Sequence, residues 1–459
     1  MPATPTTIGP RMTVRRGTTT WDRATGAKRT FLMASALVSL LGSGPVRAAS
    51  DHPLTLNEAV QLALSRNEQA RIADEQILVA DAAVEKARVA FLPTVTGLGN
   101  DVARPYDVVK NGTTVTPYNA VTGSGTISQP VVNLPAWPLY RQAQRLLDAQ
   151  RATSADSKRV LQFSAASAFI NALSLEAVVA AANRRLDTAK ATLVDTQARV
   201  EGQLNSSNDV TRAQLDLASA VQEVASDEGN VQQAYVTLAF VLNTPVQPPL
   251  APPTPTLEAA ASQLGAVNKL VTSAELRRLD LVASKHAARA AHLFADEPLM
   301  RIVPTLGIAA AVIGQSLPFA SGRNTDETLT TTLSWQIYDA GNRYADKHSR
   351  DSVAIIADLT EATLERQIKS QVETAAAALT SAQAQYRALA DAVASSRKNV
   401  EETATLYRQG LATALELTDA NDSRFEAEVG FSGAQYAMAL AYLALRQAMG
   451  LEPLGTGLQ

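Results

Sequence analysis

Residues 342–409 read NRYADKHSRDSVAIIADLTEATLERQIKSQVETAAAALTSAQAQYRALADAVASSRKNVEETATLYRQ, without a glycine or a proline. Leu139 to Glu201 form a second stretch of this kind. Glycine and proline are the residues that interrupt helices, whereas the alanine, leucine, glutamine and charged residues that dominate here favour them. With a rise of about 1.5 Å per residue, each stretch predicts a helix roughly 100 Å long, too long for a compact globular domain.

Both stretches carry apolar residues three and four positions apart, as a helix with one buried face does. These residues are Ala168, Ala172, Leu175, Val179 and Ala182 in the first stretch, and Leu379, Ala382, Tyr386, Leu389 and Val393 in the second. Many are alanine, which lets neighbouring helices approach closely but does not fill the volume of a globular core. The pattern favours a curved wall of helices.

The same order of elements occurs twice along the chain. Each half begins with a predicted helix, Leu54–Leu92 or Ala266–Glu297, which stops at Pro93 or Pro298. A Gly/Thr-rich stretch, a long helix, a glycine and a final helix follow in that order. Leu92-Pro93-Thr94-Val95 matches Val303-Pro304-Thr305-Leu306 at an offset of 211, Ile127-Ser128-Gln129 matches Leu333-Ser334-Trp335 at 206, and Asp209-Val210-Thr211 matches Glu416-Leu417-Thr418 at 207. Similar offsets in the same order indicate a tandem repeat.

The repeat divides the chain into five predicted segments: an N-terminal extension with an export signal, the first repeat, a Pro-rich strap that we expect to be extended, the second repeat, and a tail. Their bounds are 1–50, 51–244, 245–265, 266–450 and 451–459. In the first segment, Lys28 and Arg29 precede an apolar run from Phe31 to Leu41, and Ala48-Ala49-Ser50 offers a cleavage site. Met12 is an alternative start. The apolar run is too short for a membrane span, which needs about 20 residues.

The Gly/Thr-rich stretches predict one β-hairpin in each half, about Thr94–Val132 and Ile302–Tyr338. From Thr328 to Tyr338 the residues alternate, so that Leu329, Leu333, Trp335 and Ile337 share one face with Thr331, opposite threonine, serine and glutamine. Half of a β-sandwich would show the same alternation. Four strands cannot close a barrel, for which about eight is the practical minimum, so several chains must share one barrel. A barrel would also satisfy the backbone in lipid without membrane helices.

Composition excludes several other classes of function. The net charge of −3 and pI of about 5.9 argue against nucleic-acid binding. The chain has no cysteine, which excludes disulfides, thiolate sites and a lipidated N-terminal cysteine, and its 4 histidines show no metal-ligand spacing. Nucleophile-elbow, P-loop and dinucleotide-binding motifs are absent from the sequence. We therefore expect no enzyme, no cofactor and no metal.

Several stretches resemble those of the TolC-type outer-membrane channels, in the order and duplication that this family shows. They are Leu54-Thr55-Leu56-Asn57-Glu58-Ala59, Ala87-Arg88 with Leu92-Pro93, Ser128-Gln129-Pro130, Ile337-Tyr338-Asp339-Ala340-Gly341, Tyr407-Arg408-Gln409-Gly410, Glu416-Leu417 and Asp419-Ala420. The resemblance implies a mainly α fold of tandem-duplicated long helical hairpins with two β-hairpins per protomer. Three protomers would form a 12-stranded membrane β-barrel continued by a helical tunnel.

The family resemblance further implies the partners and the location. The protein would be a non-enzymatic exit duct in the outer membrane of a Gram-negative bacterium, in contact with outer-membrane lipid. It would receive substrates of a tripartite efflux or type I secretion system from a periplasmic adaptor and an inner-membrane pump of the RND, ABC or MFS type. Two alternatives remain: a periplasmic coiled-coil adaptor, which carries a single hairpin, and a structural envelope protein.

The resemblance also implies site residues at the tips of the helical hairpins, near Gly202 and Gly410. Carboxylates six and nine residues after the second glycine, Glu416 and Asp419, would ring the tunnel entrance. Acidic residues also occur at helix starts simply because the helix dipole favours them. Adaptor contact and closure would involve Tyr407 with Asn208 or Asp209, although the first tip shows one extra residue between Gly202 and Asp209. Leu329, Leu333, Trp335 and Ile337 would face lipid.

Overall fold

The computed structural model describes residues 52–110, 112–203, 206–319, 321–455 and 457–458, and the predicted export signal lies outside them. The two repeats fold into the same series of helices around one antiparallel sheet. The first repeat contains α1 (Leu56–Arg66), α2 (Glu68–Arg88), α3 (Ala136–Glu201) and α4 (Ser207–Leu242). A short α5 (Thr254–Ala261) follows, and the second repeat contains α6 (Val267–Arg277), α7 (Leu279–Met300), α8 (Asn342–Arg408) and α9 (Ala414–Ala448).

The two long helices confirm the predictions from the glycine- and proline-free stretches: α3 has 66 residues and α8 has 67. The helices that precede the strands were predicted as single helices, and this was wrong, because each is broken near its middle. The breaks fall at Asn67 and Arg278, which both have extended backbone conformations. Pro298 does not stop the second of these helices either, since it lies inside the last turn of α7.

The breaks bring Asn67 and Arg278 onto the end of the last helix of their own repeat. The Asn67 amide donates a 2.8 Å hydrogen bond to the Val241 carbonyl near the end of α4. The Arg278 guanidinium donates a 3.1 Å bond to the Ala448 carbonyl at the end of α9. The last carbonyls of a helix have no intrahelical partner. Each break therefore satisfies a helix terminus, which compensates for the interruption.

The long helices pack side by side in the order α4–α3–α9–α8, and nearer the sheet in the order α2–α3–α7–α8. Helix α3 lies at the centre, where Phe169, Ile170 and Leu173 are buried against Leu238 of α4 and Leu443 of α9. Helices α4 and α2 at one side, and α8 at the other, form the edges of the helical layer. The protomer is thus a wall with two open sides.

The four long strands form one antiparallel sheet in the order β1–β4–β5–β6. They span Thr94–Ala103 (β1), Asn119–Val132 (β4), Thr305–Gln315 (β5) and Thr325–Ser334 (β6). The loop between β1 and β4 carries its own two-stranded hairpin, β2 (Val108–Lys110) and β3 (Thr113–Thr116), so the prediction of one hairpin per half missed a small element. The predicted end of β6 at Tyr338 was also wrong: the ladder ends where Thr305 pairs with Ser334.

The strap between the repeats is extended only at first. Leu250 forms a parallel bridge with Leu54 next to the start of α1. From Thr254 the chain is helical, with a proline at the start of α5. Proline is tolerated in the first turn of a helix because the N–H that it lacks would have no partner there. The strap therefore fastens the beginning of the first repeat to the beginning of the second.

Two junctions connect the sheet to the helices, and their chemistry differs. In the first repeat, the Phe91 ring meets the rings of Trp137 and Tyr140 edge-on, at centroid distances of 6.2 and 6.1 Å. In the second repeat, the junction is ionic.

At this second junction, the buried Glu297 carboxylate accepts two 2.8 Å bonds from Arg301 and one of 2.6 Å from Arg350. Arg301 also binds Asp346 at 2.8 Å, and the Arg350 guanidinium lies 3.8 Å from the centre of the Phe294 ring. The four charges compensate each other within the junction.

Candidate functional site: the helical tips and the sheet faces

The turns at the ends of the two helical hairpins have the same geometry. In each, a residue with left-handed backbone conformation comes first: Gln203, with φ of 60°, and Gly410, with φ of 74°. Three residues later a hydroxyl residue, Ser206 or Thr413, caps the next helix together with an acid at its third position. These acids are Asp209 and Glu416, so that the left-handed residue, the cap and the acid of the two tips correspond at an offset of 207.

This geometry corrects the prediction of an extra residue in the first tip. The count began at Gly202, but Gly202 has φ of −77° and is not the residue that reverses the chain. From Gln203 to Asp209 the spacing is the same as from Gly410 to Glu416. The first tip therefore has no insertion, and a glutamine occupies a backbone conformation that glycine adopts without strain.

The Glu416 carboxylate is engaged in the cap of α9. It accepts bonds from the Thr413 N–H at 2.7 Å and the Thr413 hydroxyl at 3.0 Å, while the Glu416 N–H donates to that hydroxyl at 3.2 Å. The bonds from Thr413 hold the pKa of Glu416 below its ordinary value. The Asp419 side chain is exposed one turn further on, beside the buried Leu417 and Ala420. Of the two predicted entrance carboxylates, Asp419 lies at the surface and Glu416 closes a capping box.

Tyr407 joins the two tips. Only 3% of this residue is exposed, and the Arg199 guanidinium of α3 lies 4.4 Å from the centre of its ring. Arg199 also donates to the Tyr407 carbonyl at 3.2 Å and pairs with Asp195 at 3.0 Å. The Asn208 side chain is exposed, and its N–H donates to the Ser206 hydroxyl. Tyr407 therefore links the second hairpin to the first through Arg199, while the predicted contact with Asn208 or Asp209 stays a prediction.

A second link between the hairpins lies further along the helices, at Arg185 of α3. Its guanidinium binds Asp422 of α9 at 2.9 Å, and Asp216 and Glu223 of α4 at 3.1 and 2.6 Å. It also lies 5.3 Å from the centre of the Phe425 ring. Burial and the neighbouring Asp422 raise the pKa of Asp216, against the opposing effect of Arg185.

A third link is centred on Glu428 of α9, whose side chain is 9% exposed. Arg184 of α3 binds it at 3.0 Å, Arg397 of α8 at 3.3 Å and Arg424 of α9 at 3.7 Å. Burial alone would raise the pKa of Glu428, but the hydrogen bond and charge of Arg184, with the charge of Arg424, lower it below its ordinary value. A movement that separates the second hairpin from the first would have to break these two charged clusters and the Arg199 contact.

The sheet has two distinct faces, as its alternation predicted. In the middle strands, Ile127, Ile308, Ala310 and Val312 are more exposed than their neighbours along the chain. The residues that alternate with them on these strands are half-buried. The sheet therefore curls towards the face that carries these half-buried residues. The register places Ile127, Ala310 and Leu329 side by side on the outer face. Leu329 and Leu333 lie on this face and are 76% and 63% exposed.

Trp335 and Ile337, the other predicted lipid-facing residues, follow the end of β6. Both side chains are exposed, and the Trp335 indole N–H donates a 3.0 Å bond to the Ile302 carbonyl at the junction. Aromatic residues with a satisfied polar atom are typical of membrane interfaces. The position of these two residues at the helical end of the sheet was not part of the prediction, because the strand was expected to continue to Tyr338.

Within the described residues, no group of three or more His, Asp and Glu side chains is placed to hold a metal ion. In the part of the chain that the structure describes, one helix, α3, contains a window of 18 residues that is long and apolar enough to cross a membrane. Of that window, 44% is buried inside the protomer. Because α3 packs centrally between α4 and α9, we interpret its apolar character as that of a core helix.

This arrangement of helices and strands is shared with known proteins. The family model described as outer membrane efflux protein matches residues 59–244 and 270–451, one segment in each repeat. No curated protein matches the chain in sequence.

Solved channels share the fold. CusC is 17% identical, with a TM-score of 0.76, and the match covers 86% of this chain and 92% of CusC. The outer membrane protein VceC of Vibrio cholerae is 16% identical with a TM-score of 0.73, and 86% and 96% of the chains are covered. The outer membrane channel MtrE of Neisseria gonorrhoeae, in its open state, is 20% identical with a TM-score of 0.73 and coverage of 88% and 90%.

Proposed function

This chain belongs to the outer membrane efflux protein family, and from that premise we propose that three copies of it close into one channel whose entrance is ringed by Asp419. Family membership establishes an outer-membrane channel that works with an adaptor and a pump. The number of copies, the residues of the entrance and the class of pump belong to the proposal.

The observation that carries the proposal is the pair of open sides in the protomer. In the sheet the open edges are β1 and β6, and in the helical layer they are α4 with α2, and α8. At both levels, one side comes from the first repeat and the other from the second. A contact between unlike sides of identical chains is heterologous, and it produces a closed ring when the rotation between copies closes.

Closure removes a cost that a single protomer bears in lipid. An unpaired strand edge exposes a row of N–H and C=O groups, each of which costs several kcal/mol in the hydrocarbon region. Pairing β6 of one copy with β1 of the next satisfies both edges. Three copies contribute the 12 strands that the family resemblance implies, a number within the range of known membrane barrels, whereas four strands cannot close alone.

The two faces of the sheet support one orientation of this barrel. The outer face carries Ile127, Ile308, Val312, Leu329 and Leu333, which suit lipid. The face towards which the sheet curls carries mainly threonine, serine and alanine, which suit a water-filled lumen. Trp335 would then lie at the lipid–water boundary nearest the helices, and the helices would continue into the periplasm.

The entrance at the tips is assigned to Asp419 in preference to Glu416. Both residues recur in three copies, but the Glu416 carboxylate already accepts two bonds from Thr413. Exposed carboxylates around a narrow opening attract cations, and multivalent cations most strongly. Glu416 would contribute its charge to this field while it holds the start of α9 in place.

The assembly is tested by locating the full-length protein after export. We expect it in the outer-membrane fraction, as a species that migrates as a trimer on a gel without heating and as a monomer after heating. A monomer in the soluble periplasmic fraction would contradict the proposal and would favour an adaptor or a structural envelope protein.

The entrance is tested by block of single channels in planar bilayers, with hexaamminecobalt(III) added on the side of the helical tips. For Asp419→Asn we expect block to weaken by about an order of magnitude, since neutralisation removes three charges at once. Glu416→Gln is the matched variant, because glutamine preserves the capping box and removes only the charge. We expect a smaller loss for it, and equal block of Asp419→Asn and wild type would reject Asp419 as the ring.

A further inference from the structure

The four strands of the sheet carry only three charged side chains, Asp101, Asp326 and Glu327. Asp326 and Glu327 are neighbours on β6, so their side chains point to opposite faces. Glu327 pairs with Val312, which is on the outer face together with Ala310 and Leu329. Asp326 pairs with Ile313 and therefore shares the inner face with Ala311 and Thr328.

The rest of the inner face is uncharged. Along the strands it consists of Thr94, Thr96, Leu98, Asn100 and Val102 on β1; Ala120, Thr122, Ser124, Thr126 and Ser128 on β4; Thr305, Gly307, Ala309, Ala311, Ile313 and Gln315 on β5; and Thr328, Thr330, Thr332 and Ser334 on β6. Hydroxyl and amide groups are uncharged and can hydrogen-bond to solutes of either sign. Asp326 is thus the single fixed charge that the described strands place on this face.

We propose that Asp326 sets the charge selectivity of the barrel section, so that its outer part favours cations over anions. The inference rests on the proposed closed channel, in which the inner face becomes the lumen. Asp326 is the second residue of β6, at the end of the strand that lies away from the helices. In the channel this is the outer mouth, opposite the entrance formed by the helical tips.

The three copies of Asp326 lie at one height because symmetry-related residues are equidistant along the axis. Among the described residues, no salt bridge involves Asp326, and its row across the sheet is completed by Ile313, Ser124 and Leu98, which supply no positive charge. The basic residue nearest in sequence is Arg323, in the turn before β6, where its carbonyl accepts a bond from the Phe319 N–H. Arg323 opposes the field of Asp326 without neutralising it by contact.

The salt concentration determines the distance over which the charge of Asp326 acts. The Debye length is about 30 Å at 0.01 M and about 3 Å at 1 M, so the carboxylates act across a pore only in dilute electrolyte. We therefore expect cation selectivity in a KCl gradient of low concentration and its decline in concentrated salt.

The experiment measures the reversal potential of the full-length channel in dilute KCl, and block by hexaamminecobalt(III) added on the barrel side. We expect Asp326→Asn to lower the potassium-to-chloride permeability ratio on the order of twofold and to weaken barrel-side block, because water weakens the interaction of an exposed charge with passing ions. The matched control is Glu327→Gln, which removes the same charge one residue away on the lipid side and should change neither quantity. Arg323→Gln should increase the selectivity.

The outcomes separate this inference from the proposed function. If the wild type conducts as a trimer but Asp326→Asn and Glu327→Gln behave alike, Asp326 is not the selectivity residue, and the channel proposal stands. If the wild type conducts as a trimer but shows no barrel-side block, Asp326 is likewise not the selectivity residue, and the channel proposal stands. If the wild type forms no channel at all, the closed assembly itself is rejected. Trimer migration on an unheated gel confirms that each variant has assembled before it is measured.

Discussion

The two junctions between sheet and helices occupy equivalent places in the repeats but are held by different forces. At an offset of 206, Tyr140 corresponds to Asp346. The first junction is a trio of aromatic rings around Phe91, and the second is a cluster of two acids and two arginines around the buried Glu297. The same backbone arrangement is thus compatible with an aromatic junction and with an ionic one.

The difference predicts how each junction responds to loss of a member. Edge-to-face rings attract each other weakly and independently, so removing one leaves the others satisfied. A buried ion cluster is balanced only as a whole, and removing one charge leaves its partners uncompensated in a poorly solvated place. The ionic junction should therefore be the more fragile to single substitutions.

The largest effect is expected for Glu297→Ala. The substitution leaves Arg301 and Arg350 without their shared carboxylate, and we expect the free energy of local opening at the end of α7 to fall by about 3–5 kcal/mol. Amide hydrogen exchange of α7 and the start of α8 measures it. The control is Lys86→Ala, at the equivalent place in the first repeat, where the side chain is exposed and the expected change is about 0.5 kcal/mol or less. Equal protection of the two variants would contradict the ionic role.

A smaller effect is expected for Phe91→Ala. Phe91 contacts both other rings and is partly exposed, so that about 2 kcal/mol of local stability should be lost. The loss should be the same in 0.1 and 1 M salt, because no charge is involved. A loss that depends on salt would show that the first junction also relies on charges, and would remove the contrast between the repeats.

The smallest effect is expected at the tips, where the repeats agree in geometry and differ in sequence. Gln203→Gly should stabilise the turn between α3 and α4 by about 1 kcal/mol, because glycine adopts the left-handed conformation without a clash of Cβ. Hydrogen exchange of the first residues of α4 measures the gain. Gln203→Ala serves as the control and should give none, and Gly410→Ala should cost a similar amount at the second tip.

Much of the fold was predictable, because it follows from local signals. Long stretches without glycine or proline gave α3 and α8 nearly to the residue, and alternation along β6 gave the two faces of the sheet. The helix breaks at Asn67 and Arg278 were missed since neither residue is a helix breaker. Each break is stabilised by a bond to a carbonyl about 170 positions away, at Val241 or Ala448, and no local pattern reports such a contact.

Part of the candidate site could likewise be predicted from local sequence signals, and part could not. The pattern Thr413-x-x-Glu416 is a capping-box signature, so the engagement of Glu416 was readable from the sequence. The Arg185 cluster was not, because its partners come from α4 and α9, and their register depends on packing. The left-handed conformation of Gln203 was missed for another reason: a glycine stands next to it, and the count started at the wrong residue.

The central position of α3 also constrains how the protein is made. Its apolar face, with Phe169 and Ile170, is covered in part by Leu238 of α4 and is completed by Tyr436, Ala439 and Leu443 of α9, which lie about 270 positions later in the chain. Until α9 has docked, this face is only partly covered, and contacts between such distant segments form slowly. The partly folded chain therefore exposes part of this apolar face until the second repeat is in place, so that α3 is fully buried only when both repeats fold together.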